Sequence, residues 1–375
     1  MRRIEFMVPV PPVPLGAPPA VPRVLILVPD QQGGIARLFE QMQNGTQGLV
    51  RADLMFFPSH DGQARAMLRF PQKLLAFWRV LKANRIDACH INLSTGGSTI
   101  RKLCYAFMCR AARVPYVIHL HGGRYPTFLE RAPTVLKRLI RSFFLKADRV
   151  IVLGSVWREF VARELAVPPG RIVVLPNAVA GPRTLPARRD GARLLLLGRI
   201  GPDKGVPELL EALASPAMQA LDWTATIAGD GEVETYRQRA AELGLASRVT
   251  FPGWVDGGEV AALLEDSSII VLPSHVENLP LSMLEGMGYG LCPVVTPVGA
   301  VEDVIRDGVN GLLVPVGDAK ALAEGLARVC SDEVLRHRLA GQARTDFLAH
   351  YDIRDYRARL EAVYLDVIHE RSGRR

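Results

Sequence analysis

The chain has 375 residues, 49% of them hydrophobic and 22% charged, a length and balance that exclude a disordered or fibrous protein and suit two ordinary domains. Its formal net charge of +8 points to an anionic partner: nucleic acid, an acidic membrane surface or a phosphorylated substrate. No zinc-finger spacing and no aromatic RNA-recognition stretch accompanies that charge, which argues against nucleic acid.

In chain order, residues 1–22 come first. They hold Pro9, Pro11, Pro12, Pro14, Pro18, Pro19 and Pro22, too dense for the apolar helix of a signal peptide, and read as a Pro-rich tail outside the fold. Val24–Val28 is a continuous apolar run, as expected of a strand buried on both faces. A loop containing Gly33 and Gly34 follows, then Ile35, Leu38, Phe39 and Met42 at helical spacing. Asp87–Leu93, Tyr116–His121, Arg149–Leu153 and Ile172–Leu175 continue as strands, with a helix over Arg101–Ala112 and a basic amphipathic run over Leu136–Lys146. That run suits either an anionic membrane or a packing helix with a solvated basic face.

Ala178–Asp190 reads as a linker. A second series of strands follows: Leu194–Leu197, Thr224–Ala228, Val249–Phe251, Ile269–Leu272, Pro293–Thr296 and Leu312–Val314, with helices over Val206–Leu213 and Val260–Leu264. Asp352–Glu370 closes the chain as an amphipathic helix. Strands alternating with helices predict an α/β fold of two doubly wound, Rossmann-like domains facing a cleft. The expected division is a domain over 23–180, a second over 181–350, and a terminal helix over 351–375. The five cysteines, Cys89, Cys104, Cys109, Cys292 and Cys330, form no zinc or CxxC spacing, and a reducing cytoplasm is the expected compartment. No apolar run approaches the length of a membrane span.

The stretch from Glu277 to Glu285 carries the clearest chemistry. Pro280 suits the first turn of a helix, and Leu281, Leu284 and Met287 recur at helical spacing. Glu277 therefore sits just before a helix start and Glu285 within it, with backbone N–H groups between them that attract phosphate. A ligand with hydroxyls at both ends and a diphosphate in the middle matches that layout, although two such glutamates also serve as a cap and a solvated face. Arg199 and Lys204 flank the turn after the first strand of the second series, where two cations suit a diphosphate clamp. Gly33 and Gly34 let a backbone approach an anion, but neither they nor Gly229-Asp230-Gly231 completes the dinucleotide fingerprint. His121 ends a strand, with His119 on the same side, and physics alone does not separate the two. No Asp-x-Asp occurs, so no metal-bridged diphosphate site is expected.

Taken together, Leu197-Gly198-Arg199 with Lys204-Gly205, Ile227 to Gly231, Leu272-Pro273-Ser274 through Glu277 to Glu285, and Pro297 to Glu302 with Asp307 to Leu312 resemble the retaining glycosyltransferases of family four, of GT-B fold. The resemblance implies that Arg199 and Lys204 bind the donor diphosphate together with the Gly34 backbone. It implies that Glu277 holds the transferred sugar, that Asn278, Leu279, Pro280 and Leu281 supply backbone contacts, that Glu285 binds the ribose, and that His121 lies near the reacting centre. The chain departs from the pattern at Asn278-Leu279, where Gly-Phe is common, at Ala178, and at Gly286 and Gly288, which replace alanines and are expected to weaken their helix by roughly 1 kcal/mol each.

The function expected on that basis is metal-independent transfer of a hexosyl group, with retention, from a UDP- or GDP-linked sugar to a glycan or lipid-linked acceptor. Exopolysaccharide, lipopolysaccharide or another glycoconjugate is the expected product, made in the cytoplasm or at the inner face of the membrane. No cofactor is expected, the nucleotide sugar being a substrate. A nucleotide-sugar epimerase, a phosphorylase and a non-catalytic sugar-nucleotide binder are the alternatives.

Overall fold

The structure is a computed structural model, and it describes residues 21–28, 38, 39, 42, 51–59, 66–185 and 191–373. The stretch up to residue 20, Gly33 and Gly34, and residues 186–190 of the linker lie outside the described residues. The chain divides into two compact units, one of residues 1–175 with 354–375 and one of residues 176–353.

The first unit holds six parallel strands: β1 (Arg23–Val28), β2 (Asp53–Pro58), β3 (Ala88–Leu93), β4 (Tyr116–Leu120), β5 (Arg149–Val152) and β6 (Ile172–Val174), in the order β2-β1-β3-β4-β5-β6. β1, β3, β4 and β5 are buried along nearly their whole length, as strands covered by helices on both faces must be. β2 is an edge strand that the sequence reading did not include. It opens on Asp53 and ends on Pro58, which only an edge or a strand end tolerates. β3 begins one residue later than expected because Asp87 is spent on its start, its carboxylate accepting the Arg23 N–H at 2.9 Å.

The second unit holds β7 (Ala192–Leu197), β8 (Trp223–Ala228), β9 (Val249–Gly253), β10 (Ile269–Leu272), β11 (Cys292–Val295) and β12 (Leu312–Leu313), also parallel, in the order β12-β11-β10-β7-β8-β9. From β7 the chain winds outward through β8 and β9, then returns to lay β10 on the other side of β7. The connections thus diverge between the carboxyl ends of β7 and β10, and this is where an open α/β sheet takes a ligand.

The helix Ile353–Ser372 belongs almost entirely to the first unit. Tyr364, fully buried, lies 2.7 Å from His90, and Arg149 on β5 holds Asp366 at 2.6 Å and also Glu370. Arg149 is 8% exposed, and its two carboxylates, which stay in part in water, neutralise a charge that is largely covered.

Gly286 and Gly288 sit in the buried helix Leu281–Gly288, where glycine alone would cost stability. The sheet explains them. A Cβ on Gly286 would lie 2.7 Å from Cβ and Cγ2 of Ile270 on β10, and one on Gly288 would lie 3.0 Å from the Phe347 ring. Glycine thus lets the helix that carries Glu285 press onto the strand below it. Gly286→Ala gains about 1 kcal/mol of helix propensity but overpacks against a β-branched side chain, at a cost of about 1–3 kcal/mol. A net loss of stability is expected in urea unfolding, and a stabilised variant would show that the contact yields.

Candidate functional site

The second unit gathers the predicted charged residues at its switch point. β7 ends at Leu197 and runs through Gly198 and exposed Arg199 into a single 3-10 turn, Pro202–Lys204. Gly205 then starts the helix Val206–Leu213 with φ 66°, a left-handed conformation that suits glycine. A Cβ there would lie 2.0 Å from the Pro273 carbonyl oxygen, so no other residue permits this approach of the two loops.

That approach brings Lys204 onto the loop after β10. Its ammonium pairs with Glu277 Oε1, which also accepts the Ser274 hydroxyl at 3.0 Å. The Ser274 carbonyl in turn accepts the Thr296 hydroxyl at 2.6 Å. Two further links run parallel to the ion pair: the His275 N–H donates to the Asp203 carbonyl (2.9 Å) and His275 Nε2 donates to Glu208 Oε1 (2.8 Å). Lys204 and Glu277 are 21% and 11% exposed at their side chains, so their attraction is screened only in part. Arg199 has no ion-pair or hydrogen-bond partner among the described residues.

Pro280 is the residue before the helix, with φ −70° and ψ 126°, and the first turn starts at Leu281. This corrects the expected start by one position: Pro280 keeps an extended ψ and its carbonyl begins the helical bonding at Leu284. The carbonyls around it are engaged. Asn278 O accepts the Ala300 N–H (2.7 Å) and Leu279 O accepts Asn177 Nδ2 (2.9 Å). Gly299, at φ 61°, allows this, since a Cβ there would lie 2.5 Å from the carbonyl oxygens of Glu277 and Asn278. The N–H groups of Leu279 and Leu281 have no acceptor among the described residues, and they lie at the start of the helix, where unpaired donors favour an anion. Glu285 is 4% exposed, deeper than a solvated face allows. Ser274, His275, Glu208 and Thr296 are site residues that the sequence reading did not assign. Ser274 stands three residues before Glu277, inside the Leu272-to-Glu285 segment that carries the resemblance, but was given no role of its own.

The first unit answers the histidine question. His119 on β4 is fully buried and neither of its ring nitrogens has a hydrogen-bond partner among the described residues, whereas His121, just past the strand, is half-buried and hydrogen-bonded. The two rings lie 4.0 Å apart, and His90 on β3 lies 5.3 Å from His119. Burial holds all three neutral. It lowers His90 to about 4 despite the opposing Asn92 hydrogen bond, and His121 to about 3 with help from His90. His119 is held well below the ordinary range by burial and then by its two neighbours. Among the described residues, no group of three or more His, Cys, Asp or Glu is placed to hold a metal ion.

The family model for glycosyl transferases group 1 matches residues 182–346, and that for the glycosyl transferase 4-like domain matches residues 9–178. The second match begins inside the stretch read as a tail. The chain belongs to the group 1 glycosyltransferases of GT-B fold. A curated relative, the UDP-Gal:alpha-D-GlcNAc-diphosphoundecaprenol alpha-1,3-galactosyltransferase of Escherichia coli, is 24% identical over 361 residues, covering 91% of each chain. A glycosyltransferase from Rickettsia africae superposes with TM-score 0.73 at 17% identity, over 92% of this chain and 98% of that one. HepE of Anabaena, solved with UDP and glucose, superposes with TM-score 0.69 at 17% identity, over 94% of this chain and all of that one.

The three neutral histidines make stability depend on pH. An unfolded histidine takes up a proton near 6.5, while His90 and His121 resist until about 4 and about 3. Below pH 6.5 the unfolded chain therefore binds more protons, and stability falls as pH falls through that window. His119→Leu keeps the bulk and removes one titrating ring, so its melting temperature is expected to fall less between pH 7 and pH 5. An unchanged slope would mean that this ring protonates as readily in the fold as outside it.

Proposed function

We propose that the protein transfers a hexosyl group, with retention and without a metal, from a nucleoside diphosphate sugar to an acceptor hydroxyl in polysaccharide, lipopolysaccharide or other glycoconjugate assembly. One observation carries this reading: Lys204 and Glu277 in contact at the switch point of the second unit, beside exposed Arg199 and the open N–H groups of Leu279 and Leu281. Arg199 and Lys204 take the diphosphate, and the negative charge that builds on the departing nucleotide is their main catalytic target. Glu277 takes sugar hydroxyls and Glu285 the ribose. His121 serves the reacting hydroxyls from the first unit. The acceptor oxygen bonds to the anomeric carbon on the face from which the phosphate oxygen leaves. The acceptor proton passes to that phosphate oxygen, and the nucleoside diphosphate departs.

The donor is a UDP- or GDP-linked sugar. The name of the Escherichia coli relative specifies a UDP-linked donor and a diphosphoundecaprenol acceptor, and HepE was solved with UDP, which supports UDP and a lipid-linked acceptor here. No described helix is long and apolar enough to cross a membrane. In this proposal a lipid acceptor is met at a membrane surface, on the cytoplasmic side. The helix Thr134–Leu145 suits that surface: Val135 and Leu139 are 69% and 54% exposed, alongside exposed Arg138 and Arg141. Flotation of the protein with anionic but not with neutral vesicles is expected, and equal flotation, or none, would count against a membrane acceptor.

The site itself is tested with UDP, GDP and ADP in metal-free buffer. One of them is expected to raise the melting temperature, because only the folded state binds it. No shift at millimolar ligand would remove the transferase reading and favour a different use of the site. The ion pair adds a sharper expectation. A diphosphate must draw Lys204 away from Glu277, so Glu277→Gln is expected to bind the nucleoside diphosphate more tightly than wild type while losing sugar transfer. Lys204→Ala is expected to lower turnover by about 100-fold, the scale of one lost charge-stabilising donor.

A further inference from the structure

The first unit contains a hydrogen-bonded line that the diphosphate site does not use. It starts at the Leu27 carbonyl of β1, which accepts Asn92 Nδ2 at 3.0 Å. A carbonyl only accepts, so this bond orients the buried amide, with its nitrogen towards Leu27 and its oxygen away. Asn92 Oδ1 then lies 2.8 Å from His121 Nε2 and 3.1 Å from His90 Nε2. An amide oxygen also only accepts, so both histidines carry their proton on Nε2. Each neutral ring keeps a lone pair on Nδ1. On His90 that lone pair accepts the hydroxyl of Tyr364, from the terminal helix, at 2.7 Å. On His121 it has no partner among the described residues.

We propose that Asn92 is a positioning residue that fixes the tautomer of His121, so that Nδ1 is presented to a substrate hydroxyl as a hydrogen-bond acceptor. Tyr364 commits His90 to the same tautomer from the far side, so the shared amide oxygen meets two donors and never a lone pair. Without Asn92 nothing on the ring fixes its tautomer, and a fraction of the molecules would meet a hydroxyl with an N–H instead. The neighbours facing His121 are His90 on β3, His119 on β4 and, through His90, Tyr364. None carries a formal charge when the histidines are neutral, so the ring stays an acceptor at working pH. The use of that acceptor in sugar transfer rests on the function proposed above, whereas the tautomer itself does not.

The full chain labelled with 15N-histidine tests this by long-range proton–nitrogen correlation at pH 7.5, with His121 assigned by its loss in His121→Gln. A protonated Nε2 and a bare Nδ1 are expected for His121 in the wild type. An Nδ1–H tautomer or an imidazolium there overturns the proposal, with no variant needed. Asn92→Leu, of similar size, is expected to average the two nitrogen signals. It is also expected to lower kcat about tenfold, the equivalent of roughly 1.4 kcal/mol, with the donor KM unchanged. An unaltered His121 pattern in a folded Asn92→Leu protein overturns it too. If wild-type protein turns over no sugar nucleotide, the transferase reading fails, and the spectrum still decides the tautomer.

Discussion

Everything at the second unit's carboxyl edge depends on two backbones meeting with no side chain between them. The loop after β7 and the loop after β10 touch at Gly205 and Pro273, and only an absent Cβ lets them. Lys204 reaches Glu277 because of that contact, and His275 reaches Asp203 and Glu208 on either side of it. The ion pair is therefore one of several cross-links between the same two loops, and the His275 links would keep the loops joined if a diphosphate drew Lys204 away from Glu277. This is the preorganisation that makes fixed charges effective against charge that develops during a reaction.

The first unit solves a different problem. Its polar groups are neutral rings and an amide placed within an apolar sheet, where an uncompensated charge would be costly. Burial keeps His90, His119 and His121 unprotonated, and hydrogen bonds to Asn92 and Tyr364 give two of them a defined direction. His119 contributes volume and contact with the neighbouring rings, without hydrogen bonds of its own. One unit thus holds charges in partial contact with water and the other holds directed neutral acceptors away from it. Those are the two kinds of group that a nucleotide diphosphate and a sugar hydroxyl respectively call for.

Much of this was legible in the sequence, for physical reasons that differ by element. Central parallel strands such as β1, β4 and β10 must be apolar on both faces, so Val24–Val28, Tyr116–Leu120 and Ile269–Leu272 stand out as uninterrupted runs. β2 did not, because an edge strand can open on a charge and close on proline. The helix Ala66–Ala83 was hidden by Pro71 in its interior, and Glu333–His350 by buried Arg336 and Arg344, whose guanidiniums donate to backbone carbonyls of Val329, Gly288 and Pro182. Arg199, Lys204 and Glu277 were singled out because they lie in short turns between recognisable elements, and Glu285 because it follows a recognisable helix start. Asn92 was missed although its signal was present: His90 and Asn92 alternate on one face of β3, beside His119 on β4 and His121 just past its end, and polar residues on an otherwise apolar strand mark a face with work to do. The glycines of the Glu285 helix looked unfavourable in isolation and became intelligible only against Ile270 and Phe347.

Arg149 fixes an order of events during synthesis. Its guanidinium is enclosed in the first unit, and the carboxylates that neutralise it, Asp366 and Glu370, are among the last residues of the described chain. The partner of His90, Tyr364, comes equally late. The whole of the second unit, residues 176–353, is translated before the helix that closes the first. The unit translated first is therefore the one completed last: until the helix Ile353–Ser372 is made, Arg149 lacks its carboxylates and His90 lacks its hydroxyl partner, and both stay open to water.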